Sequence, residues 1–320
     1  MAGAAVMLAA GAWAWRGRRG PAMALAVAVL AVWAVAAVRE HPPAQATFAA
    51  WDVGQGASSA LMLPDGLVLA VDAPGRRGSR FNGGAVAAEA LRAMGLTHVD
   101  VLAATHAQSD HMGGMATLIA RLNRVGELWL PDVPAAHRRR MTRELVAAAR
   151  KRGVAVRWLA RGDVVRLGGV TAQALWPPRG YAPANPNNAS LVLSLAMPDG
   201  KRLLLPGDVE ARAEASLVRA GIGRHALALM PHHGSATSST PAFVRAVHPD
   251  LAIAQTGAGN RYGFPNSEVV RRWRRAGATV ANTADGAVMV DLSGARAAWR
   301  HAPPVQSARR TWALRFWRQG

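Results

Sequence analysis

The apolar positions fall into two regimes along the chain. Residues 2–15 are apolar, 16–20 carry three arginines, and 21–38 give eighteen apolar residues before Arg39 and Glu40. The second run is long enough to span a bilayer and lacks the polar face of a helix that packs inside a soluble protein. The pattern predicts an N-terminal transmembrane hairpin over residues 1–38, with a short first arm. With the arginine turn on the cytoplasmic side, everything after Val38 lies outside the cytoplasm. A cleaved signal peptide is the alternative, although the stretch ending at Val38 makes a poor cleavage site. His41-Pro42-Pro43 reads as part of a stiff linker over 39–46.

From Gln45 onward the apolar runs become short and are broken by Gly, Pro and Asp, the mark of strands joined by tight turns. Strands are expected at 47–53, 60–63, 68–71, 99–104, 127–130, 164–167, 191–196, 203–205, 226–230, 251–255 and 287–291. Helical spacing with one apolar face occurs at 85–94, 115–124, 138–152, 211–220, 241–247 and 268–276. Strands alternating with helices argue for a layered α/β domain over 47–300, with two halves suited to a sheet-on-sheet sandwich carrying helices outside. Residues 301–320 form a basic, aromatic tail suited to lipid or DNA.

Composition sharpens this only in part. A formal charge of +19 invites a polyanionic partner, nucleic acid or an anionic membrane. Only Lys151 and Lys201 are lysines, however, so the charge is almost all Arg in a chain crowded with Ala, Gly and Val, which is also how a GC-rich coding background looks. The absence of Cys excludes disulfides and thiolate metal sites, so any metal must sit on His, Asp, Glu or Asn.

Those residue types cluster at three strand ends. After 99–104 come His106, Gln108, Asp110 and His111, followed by Gly113 and Gly114; side chains on such a loop can converge on one point while the glycines turn the backbone into the next helix. After 203–205 come Gly207 and Asp208, and after 226–230 come His232, His233 and Gly234. Singly, Asp208 could be a helix cap and the two histidines a solvated turn. Together they describe a metal site.

Seven segments in order carry a resemblance: Asp52-Val-Gly-Gln-Gly56, Val71-Asp72, Thr105-His-Ala-Gln-Ser-Asp-His-Met-Gly-Gly114, Asn187-Asn-Ala-Ser-Leu-Val192, Leu205-Pro-Gly-Asp208, Pro231-His-His-Gly-Ser235 and Asn260-Arg-Tyr-Gly263. They resemble the C-terminal metallo-β-lactamase-like domain of the ComEC family of DNA-uptake proteins, from about Phe48 to Asp291. The resemblance implies a four-layer αββα sandwich with metal at the edge of its two sheets, and a nuclease acting on the DNA strand that is not imported. It places His106, Asp110, His111, Asp208 and His232 or His233 on ligand positions, and Asp52 and Asp72 on supporting or ligating positions. The bulk of that family's channel is absent from this chain, so a channel subunit or domain elsewhere is an expected partner.

Two positions depart from the family. Residue 108 is Gln where the family carries Asp, and residue 264 is Phe where it usually carries His. A neutral amide is a much weaker ligand than a carboxylate. The metal position drawing on His106, residue 108 and Asn188 is therefore depleted, while the one drawing on Asp110, His111, Asp208 and a His of the 231–235 loop is complete. One firmly held zinc or manganese and one weak or absent companion are expected. The implied chemistry is phosphodiester hydrolysis, with Asp110 orienting or deprotonating the water, His233 preferred over His232 on the leaving-group side, and Arg76, Arg77, Arg80 and Arg261 as phosphate contacts. A DNA-binding domain that no longer cuts, and a hydrolase of small esters or lactones, are the rival readings.

Overall fold

The computed structural model describes residues 40, 42–76, 81–295 and 297–302, with 23, 24 and 27–29 near the N-terminus. The chain divides between His41 and Pro42, inside the expected linker, and the fold below belongs to the second unit. Apart from residues 23, 24 and 27–29, the expected hairpin over 1–38 lies outside the described residues, as does the tail beyond Ala302; among the described residues no helix is long and apolar enough to cross a membrane.

Fifteen strands are described, and they build two sheets. The first comprises β1 Thr47–Ala50, β2 Ser59–Met62, β3 Val68–Val71, β4 His98–Ala103, β5 Arg124–Pro131 and β6 Ala155–Leu159, with β14 Ala287–Asp291 and β15 Ala298–Ala302 returning to its far edge. The second comprises β7 Val164–Leu167, β8 Val170–Trp176, β9 Val192–Ala196, β10 Arg202–Leu205, β11 Leu227–Leu229, β12 Leu251–Ala254 and β13 Thr279–Asn282. β3 through β6 run parallel, as do β10 through β13, so their C-terminal ends share one rim of each sheet.

Strand alternation explains how both faces of each sheet are used. In β1, Phe48 and Ala50 point between the sheets while Ala49 points the other way; in β12, Leu251 and Ile253 point inward while Ala252 and Ala254 point outward. The inner layer joins Phe48, Leu61, Val101 and Trp129 of the first sheet to Leu193, Leu203, Leu227 and Ile253 of the second. Helices α1 Gly83–Ala93, α2 Ser109–Met112, α3 Met115–Arg121, α4 Pro134–Arg138 and α5 Arg140–Lys151 follow one another in the first half of the chain. Of these, α1, α3 and α5 bury Leu91, Leu118 and Leu145 on the outer face of the first sheet. α6 Ala211–Arg219, α7 Pro241–Val247 and α8 Ser267–Arg275 bury Leu217, Phe243 and Trp273 on the outer face of the second. Helix, sheet, sheet, helix is the layered sandwich expected from the sequence.

Strands β6, β8, β13 and β15 are additions to the sequence reading. β6, β7 and β15 are edge or outer strands whose polar and apolar positions alternate, with Arg157, Arg166 and Arg300 facing outward, the usual protection of an open edge.

Candidate metal centre

The chemistry collects where the parallel strands end. β3 runs into Asp72, β4 into Thr105 and His106, β10 into Gly207 and Asp208, β11 into the 3-10 turn Pro231–Gly234, and β12 into Gln255. Close backbone packing fixes these loops. A Cβ on Gly207, whose φ is +58°, would lie 2.8 Å from the Cβ of Thr105 and 2.9 Å from that of Ser190. A Cβ on Gly113 would overlap the carbonyl of Gly75. Side chains other than hydrogen are thereby barred where the histidine loop meets its neighbours. Asp72, His232 and His233 have φ of 58°, 49° and 56°. This left-handed backbone is uncommon for such residues and is a form of strain that collects at functional sites.

Asp110, His111, Asp208 and His233 each offer one donor atom, and these atoms all lie within 4.8 Å of one another. Asp208 stands at the centre: its carboxylate is 3.1 Å from His111 Nε2 and 3.6 Å from His233 Nε2, with His106 Nε2 at 3.9 Å. Asp110 Oδ2 closes the set 3.8 Å from His233 Nε2. The side chains of His111, Asp208 and His233 are 1–3% exposed, whereas that of Asp110 is 35% exposed, so the cluster opens to solvent on the Asp110 side.

The groups behind the imidazoles set their tautomers. Asp72 Oδ2 lies 2.8 Å from His111 Nδ1, and a carboxylate can only accept, so Nδ1 carries the proton. Asp72 is itself held by the amide and hydroxyl of Thr105 at 2.8 and 2.7 Å. His233 Nδ1 likewise donates to the Gln255 carbonyl at 2.8 Å, and the Gln255 amide donates to Ser58 O. With both rings neutral, their Nε2 lone pairs would face each other across 3.2 Å, beside a buried carboxylate. Two acceptors at that distance need a positive charge between them.

A proton can supply that charge as well as a metal cation can. Burial opposes charge on His111, but the carboxylates of Asp208 and Asp72 overcome it and hold the imidazole well above its ordinary range. Burial also works against ionised Asp208, yet His111 and His233 keep it well below the usual carboxylate range. For Asp110, burial is outweighed by the hydrogen bond to His233 and the field of His111, leaving its carboxyl at about 2. His106 is dominated by burial, with His111 adding repulsion, and falls to about 3. A neutral His106 keeps one ring-nitrogen lone pair, and its buried Nε2 has no hydrogen-bond partner. A convergent set of imidazole nitrogens and carboxylates, an orphaned donor atom beside it and two opposed lone pairs fit a divalent cation.

The other expected residues divide. His232, whose side chain is 21% exposed, stands to one side of the cluster, with Nδ1 3.2 Å from Glu210 Oε1 and Nε2 3.8 Å from Asp208 Oδ2. Gln108 donates to Asn187 Oδ1, and Asn187 in turn donates to Glu210. Asn188 does not face the centre: its amide oxygen accepts the backbone N–H groups of Glu210 and Ala213 at the start of α6, because that unsatisfied helix end claims it. Nor does Asp208 cap a helix, since α6 begins at Ala211 with Glu210 before it. Asp52 accepts the Gly54 amide and shapes its own turn. Arg76 and Arg261 are exposed, while Arg77 and Arg80 lie outside the described residues. Asn187 and Glu210 are the site residues that sequence reasoning missed.

Comparison with known proteins places this geometry. The model of the family described as "Beta-lactamase superfamily domain" matches residues 79–257. The ComE operon protein 3 of Bacillus subtilis is 31% identical over 194 residues, 60% of this chain and 24% of that protein. The competence protein ComA of Neisseria gonorrhoeae is 30% identical over 262 residues, 79% of this chain and 32% of that protein. The chain thus spans about a quarter to a third of the length of these curated relatives. Among solved structures, the metallo-beta-lactamase fold protein YhfI of Bacillus subtilis is 10% identical, with a TM-score of 0.46 over 74% of this chain and 95% of that one. The chain belongs to the beta-lactamase superfamily and carries the motifs of the ComEC family, whose curated members are similar to it at about 30% identity.

Proposed function

We propose that this chain is a metal-dependent phosphodiesterase that cuts DNA strands during uptake at a membrane. The observation that carries the reading is the buried four-donor cluster of Asp110, His111, Asp208 and His233, which opens to solvent only through Asp110. His111, His233, Asp208 and Asp110 are the residues that would hold one cation, with His106 beside them. Zinc or manganese suits this donor set. When bound, such a cation supplies Lewis-acid polarisation of a phosphoryl oxygen and a water acidic enough to attack at neutral pH.

The chain's own residues do the rest. Asp110 orients the attacking water by accepting its hydrogen bond, since a carboxylate at about 2 is too weak a base to remove a proton readily. Asp72 and the Gln255 carbonyl lock His111 and His233 with their Nε2 atoms forward. Because His233 is engaged in that way, His232 is the imidazole left to meet the leaving-group side. Gln108, spent on Asn187, leaves the companion metal position weak. Arg261 meets the phosphate backbone. Residues 1–38 tether the domain to the inner membrane with the catalytic part outside the cytoplasm, 39–46 link the two, the domain runs from 47 through the end of β15 at Ala302 where the sequence suggested 300, the rest of the tail follows, and a channel subunit or domain is the partner.

The test is digestion of single-stranded DNA by the purified chain with manganese or zinc, alongside elemental analysis of wild type and Asp208→Ala. Digestion by wild type and loss of both metal and digestion in the variant are expected. A metal-loaded chain that shifts DNA mobility without cutting would favour a binding domain, and turnover of lactones but not phosphodiesters would favour a small-ester hydrolase. A metal-free wild type refutes the reading outright.

A further inference from the structure

Beside the metal centre, residues 257–266 form a loop braced across its width by one side chain. Asn260 accepts the Phe264 amide through Oδ1 at 3.0 Å and donates through Nδ2 to the carbonyls of Phe264 and Gly257 at 2.7 and 3.1 Å. The loop is pinned to the histidine turn by Asn266 N donating to Gly234 O at 2.9 Å, and a Cβ on Gly234 would come within 2.7 Å of Pro265. The backbone of this closed loop is therefore set before any ligand arrives.

Those side chains form a ladder of ring faces that climbs out of the site. The imidazole of His233 and the ring of Phe264 lie 6.4 Å apart with planes 19° from parallel. Phe264 and Tyr262 follow at 5.5 Å and 19°. The guanidinium of Arg261 lies over Tyr262 at 5.0 Å and donates to its hydroxyl. Exposure rises along the ladder, from buried His233 through half-buried Phe264 to Tyr262 at 53% and exposed Arg261. Neither Phe264 nor Tyr262 joins any of the apolar cores of the fold. Two aromatic rings held rigidly at the mouth of a metal centre, and contributing nothing to a core, are placed for a ligand.

The chemistry of the ladder selects its partner. Ring faces attract other flat π systems without reading a hydrogen-bond pattern, and a guanidinium on the outermost ring adds a partner for an anionic backbone. A duplex hides the faces of its bases inside its own stack, whereas an unpaired strand offers them. We propose that the exposed Tyr262, backed by Phe264 and flanked by Arg261, is a stacking platform for unpaired nucleobases that guides single-stranded nucleic acid past the metal centre without regard to sequence. As a feeder of substrate to the cluster this rests on the phosphodiesterase reading, but the platform's binding stands apart from hydrolysis.

Fluorescence anisotropy of the full chain, with metal chelated so that no strand is cut, separates the two. The probes are an oligodeoxythymidine strand, an abasic strand of equal length and charge, and a blunt duplex. The wild type should bind the base-bearing strand about tenfold or more tighter than the abasic one, in line with measured base–aromatic stacking. Tyr262→Ala, at an exposed position where folding is not at risk, should erase that preference while leaving affinity for the abasic strand unchanged, and Tyr262→Phe should keep it. Equal affinity of the wild type for the two strands overturns the platform, as does a Tyr262→Ala variant that weakens both strands alike. A base preference in a chain that cuts no DNA would sink the phosphodiesterase reading and leave the platform standing; digestion with no base preference would do the reverse.

Discussion

Replacing Asp72 by Asn tests the wiring of the centre with almost no change of shape. Asp72 sits at φ 58°, a backbone region that Asn tolerates about as well as Asp, so the fold around it should persist. What changes is one acceptor. The carboxylate receives the Thr105 amide, the Thr105 hydroxyl and His111 Nδ1–H at 2.7–2.8 Å. If the Asn oxygen keeps the Thr105 amide, its NH2 group turns toward His111 and forces the imidazole to accept at Nδ1, moving the ring proton to Nε2. Nε2 is the atom that faces Asp208 and His233, and a protonated nitrogen cannot hold a cation. Losing such a support typically weakens metal affinity about 10- to 100-fold, or about 1.4–2.8 kcal/mol. The assay is competition of the purified chain with a chromophoric chelator for zinc, with circular dichroism to confirm that both proteins are folded. A folded Asp72→Asn protein that binds zinc within about twofold of the wild type would refute the argument that Asp72 sets the tautomer of His111.

Two further outcomes follow from residues outside that pair. His225, between the Ser194 hydroxyl and the Gly223 carbonyl, is lowered by burial to about 4 against an ordinary 6.5, with a hydrogen bond to Gly223 resisting the shift. The unfolded chain therefore binds the proton first, so stability is intact above about pH 6.5 and declines as pH falls toward 4, by about 2–3 kcal/mol from this group. His225→Gln should flatten the pH dependence of urea unfolding across that window, and an unchanged slope would remove His225 from the account. Gln108→Asp should restore a carboxylate beside His106 and raise bound metal from about one to about two per chain by elemental analysis, the second-metal logic requiring an anionic oxygen there; a ratio that stays at one would mean that Asn187 and Glu210, rather than residue 108, close that position.

The parts of this centre that were legible in the sequence are those with a local signature. His106, Asp110 and His111 lie within a six-residue stretch just past one strand end, and Asp208 and His233 each come soon after a short apolar run, so strand direction carries them to a common rim. Asn187 and Glu210 had no such mark: they meet each other across 23 positions, and only the packing of the two loops joins them. Asn188 was misplaced for a related reason. In the 3-10 turn Pro186–Ala189 successive side chains point about a third of a turn apart, so Asn187 faces the centre while its neighbour turns inward to the end of α6. The unseen strands tell the same story at the level of the fold. β6 alternates Ala, Val, Arg, Trp and Leu at a sheet edge, and β15 carries Arg and His outward, so neither shows the continuous apolar run that exposed the central strands.

The donors of the cluster come from opposite sides of the sandwich: Asp110 and His111 follow strands of one sheet, Asp208 and His233 strands of the other. The layer between the sheets below them is largely apolar, and apolar contact has no fixed direction. A cation gripped by all four would act as a rivet at that seam, coupling the two halves so that chelation loosens the whole sandwich and free metal firms it, in proportion to RT ln(1 + [M]/Kd). Calorimetry of such a protein would report its metal supply as much as its sequence.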